Sequence, residues 1–239
     1  MKFSVVIPAR YGSTRFPGKP LADLSGKPMV VRVCERAQKS GAASVHVATD
    51  DERIAKAVRA HGHEVLMTRA DHASGTDRLA EAAAQLKLKD DQIVVNVQGD
   101  EPLMTPSLIA QVAVLLDKRE KAVVSTACHA LHDSLDNPNV VKVVLDHEGY
   151  ALDFSRSRIP YPREAGGGCY RHAGIYGYRV GFLKRFSKLE VSPLEKAEAL
   201  EQLRVLWHGF RIAVAVSETE IPPGVDTPQD LEAVRKMFS

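Results

Sequence analysis

Short apolar runs alternate with amphipathic helical segments through the first half of the chain, and no other feature constrains the fold as much. Residues 3–7 (FSVVI), 44–48 (SVHVA), 63–67 (HEVLM) and 92–97 (QIVVNV) read as strands. Between them, 28–39 carries Val30, Val33, Cys34 and Ala37 at helical spacing, 51–60 reads as a second helix, and 76–86 sets Leu79, Ala82, Ala83 and Leu86 on one stripe. Residues 106–117 follow as a fourth helix through Leu108, Val112, Leu115 and Leu116. Strands that are apolar along their whole length need cover on both faces. The pattern therefore predicts an α/β fold with a doubly wound, mostly parallel sheet.

The rhythm breaks at residue 122. Residues 122–130, 140–145 and 150–154 read as consecutive strands, 160–170 (PYPREAGGGCY) as a Pro- and Gly-rich loop, and 171–178 as a returning strand. No helix separates the strands at 140–145 and 150–154, so an antiparallel β insertion over 122–178 is expected inside the α/β core. A helix at 193–207, a strand at 210–216 and a helix at 228–237 complete the pattern. No linker divides the 239 residues, and one domain over 1–239 is expected.

Composition removes several classes of function. With 32 Lys and Arg against 30 Asp and Glu, the net charge is +2. Sequence-independent nucleic-acid binding needs a strongly basic face, so no nucleic-acid partner is expected. Cys34, Cys128 and Cys169 are scattered, without a CxxC pair, which argues against a disulfide framework and against a zinc site. Cys34 falls on the apolar side of its helix and reads as core. No apolar run approaches the roughly 20 residues that span a bilayer, and no signal-type apolar core is visible. A cytoplasmic protein without membrane contact is the expectation.

Directly behind the first strand, residues 5–19 (VVIPARYGSTRFPGK) gather Arg10, Arg15 and Lys19 with Gly12 and Gly18. In an α/β sheet the ligand crevice lies beyond the C-terminal strand ends, and the loop after the first strand lines it. Backbone N–H groups of a Gly-rich turn, the planar fork of Arg and the point charge of Lys all suit phosphate oxygens. A bound polyphosphate is expected here; a solvated basic loop is the other reading of the residues alone. The loop is not a P-loop, because five residues separate Gly12 from Gly18 instead of four and Pro20 stands where a hydroxyl should bind magnesium. No G-x-G-x-x-G dinucleotide fingerprint is present either.

The stretch IPARYGSTRFPGKPL (7–21) resembles the signature of nucleotidyltransferases that couple acidic sugars to CMP, in particular the 3-deoxy-manno-octulosonate (Kdo) cytidylyltransferases. CMP-sialate synthetases open differently, closer to A-R-x-G-S-K-G. The resemblance runs from Val5 to about Val234. It implies a single nucleotidyltransferase-type domain whose β insertion contributes to the sugar site and to a homodimer interface. The implied reaction converts CTP and Kdo to CMP-Kdo and pyrophosphate, with Mg²⁺ as cofactor, for lipopolysaccharide biosynthesis. An 8-amino-Kdo or sialate cytidylyltransferase, or a nucleotide-binding sensor without catalysis, are the alternatives. The resemblance also implies that Arg10, Ser13, Arg15 and Lys19 hold the triphosphate.

Four further segments bear on this reading. In VNVQGDEPL (95–103) the acids follow a strand immediately; Gln98 offers donor and acceptor, and Asp100 a hard oxygen. An ordinary Gly-Asp turn accounts for the residues equally. By resemblance Asp100 is a metal ligand with Gln98 beside the substrate. HASGTDRLAE (72–81) opens a helix that Thr76 can cap, with Arg78 in the first turn, where a cation opposes the helix dipole. A ligand at Ser74, Gly75 and Arg78 would explain that placement, and so would a solvent-facing Arg; the resemblance assigns the segment to nucleotide binding. In GVDTPQDLEAV (224–234), Thr227 at N-cap, Pro228 at N1 and Asp230 at N3 make a helix start that leaves Asp226 without a structural role. The resemblance makes Asp226 the second magnesium ligand, and Arg10, Lys19, Asp100 and Asp226 the catalytic set.

The last segment is YRHAGIYGYR (170–179), where strand alternation puts His172, Gly174, Tyr176 and Tyr178 on one face. In the helix expected at 193–207, Leu194, Ala197, Glu201 and Val205 share a stripe, so Glu201 points with apolar neighbours and needs a partner. The resemblance assigns sugar contacts to Gln98, His172, Tyr176, Glu201 and Gln202, and makes Arg156 a candidate for the sugar carboxylate.

Overall fold

The computed structural model describes residues 1–12, 16–72, 74–163 and 168–238. Its strands are β1 (Phe3–Ala9), β2 (Ser44–Thr49), β3 (Glu64–Met67), β4 (Ile93–Asn96), β5 (Ala122–Leu131), β6 (Lys142–Leu145), β7 (Ala151–Ser155), β8 (Cys169–Arg179) and β9 (Arg211–Ser217). Its helices are α1 (Met29–Gln38), α2 (Glu52–Ala60), α3 (Gly75–Gln85), α4 (Pro106–Lys118), α5 (Val180–Phe186), α6 (Pro193–Glu198), α7 (Gln202–Trp207) and α8 (Pro228–Arg235), with a 3₁₀ turn at Lys19–Leu21.

The strands form one sheet in the order β3-β2-β1-β4-β8-β5-β9, with β6 and β7 beside it against β8. Strands β1 to β4 run parallel, as their alternation with helices requires. Strand β8 runs antiparallel to both β4 and β5, while β5 and β9 are parallel. Of residues 122–178, therefore, β5 and β8 run within the main sheet, and only the β6–β7 hairpin stands off it.

Every residue of β1 and β4 is buried, which is why these strands carry no polar alternation. One core packs around α1 and α4 and includes Val5, Ile7, Val95 and Ile109. A second, on the other face, joins Val6, Val94, Leu79, Tyr178, Phe182 and Leu203. Cys34 belongs to the first core, as expected, and burial pushes its thiol up to about 12. Among the described residues no helix is long and apolar enough to cross a membrane.

Two elements differ from the sequence expectation. The helix expected at 193–207 is two helices, broken at Ala199, which sits in the left-handed region at φ 51°. The break redirects the chain, so Leu194 is exposed while Leu200, Leu203 and Val205 are buried. Glu201 is thus not on a stripe with Leu194 and Ala197; it is the N-cap residue of α7. Helix α5 has no counterpart in the expectation, although Val180, Leu183 and Phe186 carry a helical apolar stripe.

Candidate active site

The C-terminal ends of β1 and β4 open onto a cavity of about 900 Å³. Pro8, Ala9, Arg10 and Gly12 line it from the first loop, and Asn96, Gln98, Gly99 and Asp100 from the end of β4. Gly99 lets these two segments meet: a Cβ there would lie 3.0 Å from the Pro8 carbonyl oxygen. The first loop is closed by Gly18 N–H donating to Tyr11 O at 3.0 Å, with Gly18 at φ 71° and the Arg53 guanidinium stacked on the Tyr11 ring. That closure sets the 3₁₀ turn that starts at Lys19.

Lys19 is the centre of the cavity mouth. Its Nζ donates to Asp100 Oδ2 at 2.5 Å, to Val225 O at 2.9 Å and to Asp226 Oδ1 at 3.3 Å. Three segments thus meet at one ammonium, Asp100 lying 81 residues and Asp226 207 residues along the chain from Lys19. The 224–226 segment is docked by Val225 N–H donating to Asp100 O at 2.8 Å. The helix start at 227 is as expected: Thr227 caps α8, Asp230 completes the capping box, and Asp230 Oδ2 also accepts from Asp226 N at 3.0 Å. The cap therefore fixes the backbone that presents Asp226.

A cation already held between Asp100 and Asp226 shows what their chemistry attracts. Two carboxylates offering hard oxygens fit a divalent ion whose remaining ligands come from phosphates. Among the described residues no group of three His, Cys, Asp or Glu side chains forms a metal site, so this pair would depend on such additional ligands.

The far wall comes from β8 and α7. His172, Gly174, Tyr176 and Tyr178 all line the cavity, as strand alternation predicts, together with Glu201 and Gln202. The aromatic rings of Phe154, His172, Tyr176 and Tyr178 follow one another at centroid distances of 4.9, 5.4 and 6.0 Å. Burial lowers the His172 imidazole to about 3 and raises the Tyr176 and Tyr178 hydroxyls. Burial also raises the Glu201 carboxyl, which accepts from Thr76 Oγ1 at 2.7 Å. That contact is the partner Glu201 needs within the protein itself.

Other expected site residues are placed differently. Ser74, not Thr76, caps α3, accepting from Asp77 N at 3.2 Å, which leaves the Thr76 hydroxyl free for Glu201. Gly75 lines the cavity and Ser74 does not. Arg78 is no solvent-facing side chain: it is 1 % exposed and lines the cavity. Its Nη1 donates to Thr68 Oγ1 and its Nη2 lies 3.3 Å from Asp50 Oδ1 without hydrogen-bond alignment. Arg156 does not reach the cavity. Its side chain donates to Glu198 O at 2.6 Å and Pro138 O at 3.0 Å, tying β7 to the neighbouring turns. On this side of the sheet Arg171 of β8 lines the cavity instead, besides Arg10 and Arg78. Ser13 and Arg15 lie outside the described residues.

Beyond Arg171, the sequence reading did not single out Asn96, Glu101 or Asn139. Asn96 and Asn139 line the cavity. Glu101 lies beside it with Oε2 sealed from solvent, and burial, reinforced by Asp100, pushes its carboxyl up to about 8. The available signal for Asn96 was a polar residue at the end of an otherwise apolar strand.

A basic loop behind β1, a carboxylate pair from the turn after β4 and the segment before α8, and a far wall of polar and aromatic side chains suit an α/β nucleotidyltransferase. Residues 4–212 match the cytidylyltransferase family model. The 3-deoxy-manno-octulosonate cytidylyltransferase of Verminephrobacter eiseniae is 56 % identical, covering 99 % of this chain and 94 % of its own length. That of Leptothrix cholodnii is 57 % identical, covering 100 % of this chain and 92 % of its own. A solved CMP:2-keto-3-deoxy-manno-octonic acid synthetase complexed with CTP superposes with a TM-score of 0.94 at 46 % identity, covering 100 % of this chain and 98 % of the other. A cytidylyltransferase from Leptospira borgpetersenii, 18 % identical with a TM-score of 0.63, shares the fold. The chain belongs to the cytidylyltransferase family, among the 3-deoxy-manno-octulosonate cytidylyltransferases.

Proposed function

We propose that this enzyme transfers CMP from CTP to Kdo, releasing pyrophosphate and supplying CMP-Kdo for lipopolysaccharide biosynthesis. The observation that carries the reading is the convergence of Lys19, Asp100 and Asp226 at the mouth of a cavity with a polar far wall. The anomeric hydroxyl of the sugar forms a bond to the α-phosphorus as the bond from that phosphorus to the pyrophosphate oxygen breaks, and the hydroxyl proton is released. Positioning and charge supply most of the rate in such a displacement. Lys19, fixed by two carboxylates and a carbonyl, and Arg10 at the exposed rim meet the phosphates. Arg78, buried in the cavity wall, faces an acceptor on the nucleotide, and Gly75 lets the ligand approach the start of α3. His172, Tyr176, Glu201 and Gln202 hold the sugar, and Arg171 replaces Arg156 as the cation for its carboxylate.

Asp100 and Asp226 would hold Mg²⁺, which neutralises phosphate charge and lowers the pKa of a coordinated hydroxyl. A homodimer and a cytoplasmic location complete the proposal. The test is pyrophosphate release with Mg²⁺ and each of the four nucleoside triphosphates, with and without Kdo. Release with CTP only when Kdo is present is expected. CTP binding without turnover would move the reading to 8-amino-Kdo or sialate.

A further inference from the structure

We infer that Asn96 is a specificity-determining residue that hydrogen-bonds a hydroxyl of the ligand in the cavity, an assignment that rests on the transferase reading above. Asn96 ends β4, in register with Val6 of β1 on one side and Tyr176 of β8 on the other. It is 2 % exposed and follows Ile93, Val94 and Val95, all apolar and buried. Asn96 is a cavity-lining residue, yet among the described residues none hydrogen-bonds its buried Oδ1. A buried amide oxygen without a partner costs about 1–3 kcal/mol. An apolar side chain of the same size would avoid that loss, so fold stability alone does not account for asparagine here.

The surrounding wall indicates what partner suits it. Thr126 Oγ1 lies 2.7 Å from Ile175 O and 2.9 Å from His172 Nε2. A hydroxyl has one proton. With that proton on Ile175 O, Thr126 accepts from His172 Nε2–H, which leaves the other ring nitrogen an acceptor. The Thr76 hydroxyl is engaged by Glu201. Asn96 Oδ1, the His172 imidazole and the Glu201 carboxyl thus make a wall rich in acceptors, which calls for a ligand bringing several hydroxyl donors. Both the acceptor sugar and the ribose of the nucleotide have that chemistry.

Asn96→Leu keeps the branched shape, with somewhat greater bulk, and removes both polar groups. The thermal midpoint of the ligand-free variant is expected to equal or exceed that of the parent. Calorimetry is expected to show its Kd for Kdo or for CTP raised roughly ten- to hundred-fold. A rise for Kdo alone assigns the contact to the sugar, and a rise for CTP alone assigns it to the ribose. Unchanged affinity for both overturns the inference. So does a lowered midpoint or failure to fold, because Asn96 would then hold the structure. As a check on the parent enzyme, one deoxy analogue of the sugar or of CTP should bind correspondingly more weakly, and Asn96→Leu should no longer distinguish it from its parent ligand. Binding is read separately from turnover, so a parent enzyme that binds CTP and Kdo without releasing pyrophosphate would overturn the transferase reading and still decide the role of Asn96.

Discussion

Asp226 presents its carboxylate with 51 % of the side chain exposed, at a point where its backbone is held by the α8 cap. An exposed carboxylate contributes little to stability, whereas two carboxylates sharing one cation are hard to replace in chemistry that must neutralise phosphates. Asp226→Asn is therefore expected to leave the urea midpoint nearly unchanged and to lower kcat by at least about a hundredfold. Pyrophosphate release within tenfold of the parent would refute the two-aspartate site. His172 makes the opposite prediction, on stability. The unfolded chain protonates this imidazole below about 6.5, the folded chain only near 3. Between those values the unfolded state binds the extra proton, so stability falls as pH falls through this window. Parallel urea titrations at pH 7 and pH 5 should show a smaller loss for His172→Asn than for the parent. An equal loss would mean that His172 is not held neutral. Which residues reach the cavity was only partly visible beforehand. Lys19, Asp100 and Asp226 stand in contiguous motifs, but Arg156 and Arg171 are both arginines near the β8 segment. The carbonyls of Glu198 and Pro138, remote in sequence, decide that Arg156 is engaged elsewhere.

At the scale of elements, α8 shows how a local capping motif places a functional group. Thr227 accepts from Asp230 N, and Asp230 Oδ2 accepts from the N–H groups of Thr227 and Asp226 at 2.8 and 3.0 Å. Losing such a cap costs about 0.5–2 kcal/mol. Asp230→Ala is expected to lower the unfolding free energy by that amount. It should also lower kcat/KM several-fold at a temperature where the protein is fully folded, because Asp226 loses its backbone anchor. A stability loss with unchanged kcat/KM would separate the cap from the site. The parallel strands and this helix start were legible because each rests on local pattern, apolar runs in one case and Thr-Pro-Gln-Asp spacing in the other. The break at Ala199 was not, since Leu194, Ala197 and Glu201 keep a helical spacing across it. What ends α6 is tertiary: Glu198 is drawn to Ser155 Oγ and the Arg156 backbone N–H, at 2.5 and 2.8 Å, and Arg204 of α7 pairs with Glu195 at 2.5 Å.

Over the whole molecule, the segment that follows β1 and the C-terminal segment pack against each other next to the residues that hold Lys19. Val225, Leu231 and Val234 pack with Leu24 and Met29 in a third, small core. Arg235 donates from Nε and Nη2 to Asp23 O at 3.0 and 2.8 Å. This core carries no cavity-lining residue, yet it holds the segment bearing Asp226 against the one bearing Lys19. Packing there should therefore affect chemistry as well as stability. Leu231→Ala removes a side chain that is 5 % exposed, a change that costs about 2–4 kcal/mol in a well-packed core. The urea midpoint should fall accordingly. If α8 served only as packing, the folded fraction of the variant would turn over as the parent does. If it clasps the site, kcat/KM per folded molecule should fall at least about tenfold. The stabilisation that CTP produces at a fixed concentration well above Kd, which follows RT ln(1 + [L]/Kd), should shrink by RT times the logarithm of the factor by which Kd rises. Measuring both on one preparation separates the two cases, because the packing role predicts a lowered baseline with an unchanged CTP increment.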